Sequence, residues 1–260
     1  MLIIPLASGS KGNSYLLESG HTRILVDAGL SAKQLSLRLA SVDIEPSSVN
    51  AIFISHEHGD HIRGARVFSK KFRLPVYMNT ACFETARVNY KLDELPDIRL
   101  FDTGHIFDYQ DIMIHPLSIS HDTRDPVCFS ITDGKKNLGI ITDLGKVSTL
   151  IHMHARRLDA LILESNHDIN MLKMNFRYPE KVKQRIRSNR GHLSNKQAAE
   201  FAADIIMKGK LRHLLLAHLS EENNNEKVCM EMFLQYFREK KIDLPFSFAR
   251  QHTAGTRIIL

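Results

Sequence analysis

The chain has no tryptophan, only three cysteines and only eight prolines in 260 residues. Cys82, Cys128 and Cys229 are odd in number and far apart, which argues against a disulfide framework. They read as small buried apolar residues in a reducing compartment. No apolar run reaches the about 18 residues that a membrane-spanning helix needs, so no membrane partner is expected. Residues 1–7 are apolar only briefly before Ser8-Gly9-Ser10-Lys11-Gly12. The charged leader and long apolar stretch of a signal peptide are missing, and the expected location is the cytoplasm. No low-complexity stretch, obvious repeat or Pro/Gly/Ser linker interrupts the chain, so residues 1–260 read as a single domain large enough to bury a proper core. Hydrophobic residues at 43% and charged residues at 25% exclude disorder, collagen and coiled coil.

Histidine, by contrast, occurs 14 times, and it is the commonest metal ligand and proton carrier among side chains. The net charge of +6 is also concentrated in one place. Residues 173–190 hold seven basic side chains (Lys173, Arg177, Lys181, Lys183, Arg185, Arg187, Arg190) against Glu180 alone, so the rest of the chain is neutral. A localised positive patch points to a polyanionic partner.

Short apolar runs alternate with helical patterns. Strands are expected at 3–6, 15–17, 22–26, 51–54 and 75–78, then at 98–101, 105–107, 112–119, 127–132 and 138–141, and finally at 160–163, 213–217 and 257–260. Helices are expected at 32–39 behind Ser31, at 62–72, at 81–90 behind Thr80, and at 147–154, 168–173, 179–188, 195–208 and 226–240. Asp133-Gly134 reads as a hairpin turn. Two batches of strands, each with helices, predict an α/β fold: a four-layer αββα sandwich of two packed mixed sheets flanked by helices.

The most informative stretch is Ser55-His56-Glu57-His58-Gly59-Asp60-His61, directly after an apolar strand. Three imidazoles and a carboxylate so close together cannot all enter an apolar core without partners. Alternate residues of an extended loop point to different sides, so His56 and His58 can face one cation while Asp60 and His61 face a second. The pattern resembles the signature of the metallo-β-lactamase superfamily, and the remaining motifs of that family follow in order. Leu25-Val26-Asp27-Ala28-Gly29 resembles the first, Ile119-Ser120-His121-Asp122 the third, Ile141-Thr142-Asp143-Leu144-Gly145 the fourth and Leu216-Ala217-His218-Leu219-Ser220 the fifth. The resemblance implies the metallo-β-lactamase fold, one ion on His56, His58 and His121, a second on Asp60, His61 and His218, and Asp143 bridging them. It makes Asp27 an orienting residue beside the ligands. Nitrogen and oxygen donors without cysteine suit two divalent ions, Zn²⁺ or Mn²⁺, with Fe²⁺ also compatible.

Two cations roughly 3.5–4 Å apart can drive hydrolysis of phosphodiesters, thioesters or lactams, so other residues must choose the substrate. Gly191-His192-Leu193-Ser194-Asn195 lies just after the basic run, with His192 twenty-six residues before His218. In the phosphodiesterase branch a histidine so placed is the general acid, and His192 is expected to protonate the leaving oxygen while Asp60 positions the attacking water. Phe176 and Tyr178 interleave with the basic residues where a base could stack. Arg177, Arg185, Arg187 and Arg190 are candidate phosphate contacts, as are Ser10, Lys11 and Asn13 in the first turn and Asn166 and His167 after the strand at 160–163.

These motifs together, with Glu164-Ser165-Asn166-His167-Asp168, resemble the bacterial YycJ/WalJ group of nucleases over essentially the full chain. The resemblance implies a 5′-to-3′ exonuclease acting on DNA. Only 75 positions separate Asp143 from His218, which leaves no room for the inserted domain of the β-CASP nucleases. A small-molecule hydrolase of the thioester or lactam kind is the alternative, and a nucleic-acid-binding module without turnover is the third reading.

Overall fold

The computed structural model describes residues 1–95 and 97–260. Its strands form two mixed β-sheets flanked by helices, as expected. By internal contacts the chain divides into two compact units. One comprises Met1–Ser118, Thr123–Lys135 and Ala249–Leu260, the other Ile119–Asp122 and Lys136–Phe248.

In the first unit, β1 (Leu2–Ala7), β2 (Ser14–Ser19) and β3 (Thr22–Val26) run antiparallel, and β4 (Ala51–Phe53), β5 (Val76–Asn79) and β6 (Ile98–Phe101) continue from β3 in parallel. The short β14 (Ile258–Ile259) completes the edge beside β1. Neighbouring residues of a strand face opposite ways, and here both faces are covered. Ile52, Val76 and Met78 join one apolar cluster with Leu35 and Leu39 of α1 (Ala32–Ala40), Phe68 of α3 (Ala65–Phe72) and Cys82 of α4 (Thr80–Tyr90). Phe53 and Tyr77 point to the other face and stack at 4.5 Å. There they meet Phe107 and Tyr109 of β7 (Phe107–Tyr109) and Phe129 of β9 (Val127–Thr132), with Phe53 6.2 Å from Phe107 and 6.4 Å from Phe129. β7, β8 (Ile112–Ser118) and β9 form an antiparallel meander, so sheet packs on sheet through an aromatic layer.

The second unit is built on four parallel strands, β10 (Asn137–Ile141), β11 (Ala160–Glu164), β12 (His213–Ala217) and β13 (Phe246–Phe248). Its helices are α5 (Thr149–Ala155), α6 (Ile169–Met174), α7 (Glu180–Arg187), α8 (Asn195–Lys208) and α9 (Glu226–Glu239). Ser194 and Gln197 form a reciprocal capping box at the start of α8, which typically contributes about 1 kcal/mol.

Several boundaries differ from expectation. The helix expected at 62–72 is broken into α2 (Gly59–Ile62) and α3, because the backbone at Gly64 runs against the 28–30 loop. A Cβ at Gly64 would lie 1.9 Å from the Leu30 carbonyl oxygen. Asn79, not Thr80, caps α4, accepting from Cys82 N at 2.8 Å. β7 starts where the strand expected at 105–107 ends. β13 has no counterpart among the expected strands: three residues, Phe-Ser-Phe, carry no usable periodicity, and the strand is held by Phe246 packing on Phe233 and Phe237 of α9. All three cysteines are buried, and burial pushes the Cys128 and Cys229 thiols up to about 12. Among the described residues no helix is long and apolar enough to cross a membrane.

Candidate metal centre

In the first unit the site begins with Asp27, directly after β3. It adopts the left-handed conformation (φ 63°), which is uncommon for a residue other than glycine and costs on the order of 1 kcal/mol. This turn aims the buried carboxylate at the stretch 55–61. Oδ1 accepts from Ser55 N at 2.8 Å, and Oδ2 accepts from Ser55 Oγ at 2.9 Å and from His61 Nδ1 at 2.7 Å. With its own proton directed at Asp27, Ser55 Oγ accepts from His56 Nδ1 at 2.9 Å. Both histidines therefore carry the proton on Nδ1, which leaves Nε2 with a lone pair, the tautomer a metal ligand needs. Asn13 Nδ2, 3.0 Å from His61 Nε2, agrees, since an amide N–H can face that nitrogen only if it accepts. The His56 and His58 rings lie 5.0 Å apart and those of His56 and His61 4.1 Å.

Asp60 sits in the first turn of α2, its carboxylate 3.3 Å from Asn13 Nδ2 and 3.5 Å from His61 Nε2. Asn13 is fully buried: its side chain holds the turn at Gly9 together and its backbone N–H donates to Asp60 O at 2.7 Å. Its observed work is to position Asp60 and His61. Ser10 and Lys11 in the same turn are exposed. Gly29 is required by close approach, because a Cβ there would lie 1.6 Å from the Asp60 carbonyl oxygen.

In the second unit the organising residue is Glu164, the last residue of β11 and fully buried. Its Oε1 accepts from Leu193 N at 2.6 Å. Its Oε2 accepts from Asp143 N at 2.7 Å and from Nδ1 of both His192 and His218 at 3.1 Å. Burial alone would raise the Glu164 carboxyl, but the two imidazoles beside it hold it well below the usual range. Burial alone would lower His192, yet Glu164 and Asp143 outweigh it and raise the imidazole above its ordinary value. Asp143 (φ 58°) and His218 (φ 55°) repeat the left-handed turn of Asp27, following β10 and β12. His121 donates from Nδ1 to Gly191 O at 3.1 Å, and its Nε2 lies 3.6 Å from Asp143 Oδ1. Asp143, Glu164, His192 and His218 each offer a ligand atom within 4.8 Å of the others. Because both Nδ1 atoms are engaged with Glu164, Nε2 is the nitrogen that His192 and His218 have to offer.

The other candidates are placed as follows. Asn166 is buried and donates to His218 O at 3.1 Å, fixing the loop of that histidine. His167 is buried too, and burial lowers it to about 4, so it is neutral. Arg190 Nε donates to His121 O at 3.0 Å and Arg185 Nε lies 3.5 Å from Asp122. Arg177 pairs with Glu222 and Arg187 with Glu180. The motifs singled out no role for Glu164. The available signal was a carboxylate ending the otherwise apolar strand Ala-Leu-Ile-Leu-Glu, which cannot stay buried without donors.

The model of the Beta-lactamase superfamily domain matches residues 22–218. The chain belongs to that superfamily. Exodeoxyribonuclease YycJ of Bacillus anthracis is 35% identical over 237 residues, covering 90% of this chain and 88% of its own. Exodeoxyribonuclease WalJ of Streptococcus pneumoniae is 35% identical over 226 residues, covering 86% of this chain and 83% of its own. Among solved structures, the metallo-β-lactamase fold protein YhfI of Bacillus subtilis superposes with a TM-score of 0.74 at 18% identity, over 98% of this chain and 99% of that one. The Zn²⁺-bound PqqB of Methylobacterium extorquens gives 0.74 at 12% identity with both chains fully covered. Within this superfamily fold, the His/Asp clusters described above are able to bind metal.

Proposed function

We propose that the chain is a two-metal phosphodiesterase acting on nucleic acid, a 5′-to-3′ exonuclease on DNA, and that both units work as one domain. His56, His58 and His121 hold one divalent ion, Asp60, His61 and His218 hold the other, and Asp143 is shared. Zn²⁺ or Mn²⁺ suits these donors, with Fe²⁺ compatible. When bound, such ions neutralise phosphate charge and lower the pKa of water. The protein's own residues do the rest. Asp60, fixed by Asn13, orients the attacking water. His192, whose charged form Glu164 favours through Nδ1, offers the proton on Nε2 to the departing 3′ oxygen.

The observation that carries this reading is the single buried carboxylate, Glu164, that accepts from Nδ1 of both His192 and His218 and raises the His192 imidazole above its ordinary value. A thioester expels a thiolate that needs no proton donor at 192, and neither a thioester nor a lactam calls for cations such as Arg185 and Arg190 beside the His121 loop. The names of the two relatives support the same choice.

The test is incubation with 5′- and 3′-labelled single- and double-stranded DNA and RNA in Mn²⁺ or Zn²⁺. A DNA ladder advancing from the 5′ end is expected. Neutralising Arg185 and Arg190 together should weaken DNA binding and flatten the slope of log affinity against log salt by roughly 2. Cleavage of a thioester or lactam with every polynucleotide left intact would replace this reading by the small-molecule one.

A further inference from the structure

Residues 168–190 leave the parallel sheet and return to the point they left. Their neck is closed by Leu193 N on Glu164 Oε1 at 2.6 Å, by Asn166 N on Leu193 O at 3.0 Å and by a β-bridge between His167 and Ser194. The neck thus contains Glu164 and His192, while α6 and α7 form the body. Nearly all of the chain's excess positive charge lies on this excursion.

The excursion exposes what a purely structural loop would bury. Phe176, between α6 and α7, is 92% exposed and Met174 beside it 79%. Full burial of such a side chain contributes about 1.5–3 kcal/mol, so leaving the ring in water forgoes real stability. The cations divide into two groups. Lys183 is buried and donates to Lys173 O at 2.7 Å, which ties α7 to α6, and Arg187 is engaged with Glu180 within α7. Lys181 and Arg185 project from exposed positions of α7, four residues apart and hence on one helix face. That face leads to the His121 loop: Arg185 lies beside Asp122, and Arg190 is bonded to His121 O.

We propose that residues 168–190 are a strand-engaging arm: Phe176, flanked by Met174, stacks on an unpaired base, and Lys181 and Arg185 hold the phosphates between that base and the cleavage point. This rests on the nuclease reading and adds the substrate form, a strand end with unpaired nucleotides. A ring stacks on any base, so the arm selects for unpairing and not for sequence. A lipid surface could also take an exposed Phe and Met among cations, but the cationic face runs toward a candidate ligand histidine, which suits a strand being led to the site.

Because the chain contains no tryptophan, Phe176→Trp introduces a single reporter. It is titrated, as purified protein, with phosphorothioate oligonucleotides, which resist turnover. Quenching is expected with a single strand and with a duplex bearing an unpaired overhang, but not with a blunt duplex. Met207→Trp, at another exposed apolar position on α8, should stay unquenched. Phe176→Ala should bind the single strand on the order of tenfold more weakly. No quenching by any oligonucleotide, or an equal response to the blunt duplex, overturns the proposal. So does a blue shift with phosphatidylglycerol vesicles but not with DNA, which would make the arm a lipid contact. Hydrolysis of labelled DNA by the unmodified protein is measured alongside. Active protein with a silent reporter sinks the arm alone, whereas absence of any phosphodiester cleavage sinks the nuclease reading beneath it.

Discussion

Glu164→Ala should lower the melting temperature by on the order of 10 °C, since removing one partner from a buried charged network costs about 3–5 kcal/mol and each kcal/mol is worth roughly 2–4 °C in a chain of this size. Two backbone N–H groups and two imidazoles lose their acceptor together, in a place water does not reach. Glu164→Gln separates architecture from chemistry. It keeps the volume and an acceptor oxygen but no longer favours a charged His192. A general acid works only while protonated, so the rate falls as pH rises through its pKa. With the raised pKa of His192 relaxed toward its ordinary value, that alkaline limb should move to lower pH in the Gln variant. Stability should change with the opposite sign. A carboxyl held below its ordinary value contributes fully above that value and loses its contribution as pH falls through the folded one, so the Gln variant should lose part of the wild-type acid sensitivity. Calorimetry and kcat against pH check both. An unshifted alkaline limb would mean that Glu164 does not set the charge of His192.

His192→Ala should lower kcat by roughly 10²–10⁴-fold, the usual worth of a positioned proton donor, with metal content unchanged. The metal arm of that prediction matters because His192 lies within ligand range of Asp143, Glu164 and His218. If the Ala variant loses an equivalent of metal, His192 is a ligand and the proton must come from elsewhere. Asp60→Asn should abolish activity on DNA under the same conditions.

Much of the site was legible because its chemistry is compressed. Three imidazoles and a carboxylate within seven residues after an apolar strand have few uses other than binding cations, and their spacing predicts a division between two ions. The distant members were legible only through their order in a family pattern. What makes Asp27, Asp143 and His218 alike is a left-handed turn at a strand end, and a backbone angle of that kind leaves little trace in residue type when glycine is not used. Glu164 escaped for a related reason: its importance lies in four donors from three separate segments, none of them local. Asn13 and Asn166 read from the sequence as loop residues open to a substrate, and the structure buries both against backbone and side chains beside the candidate ligands. In the fold, strands with several consecutive apolar residues are legible from the sequence. The break between α2 and α3 depended on how closely Gly64 approaches the 28–30 loop, and β13 on the aromatic contacts of Phe246 with α9.

The claim on which the rest depends is that seven side chains hold two ions, and elemental analysis of the purified protein tests it most directly. After loading with Mn²⁺ or Zn²⁺ and removal of excess, about two equivalents per chain are expected. His58→Ala and Asp60→Asn should each retain about one, since each residue serves a different ion. Less than one equivalent in the unmodified chain, or two equivalents undisturbed in both variants, would contradict the account.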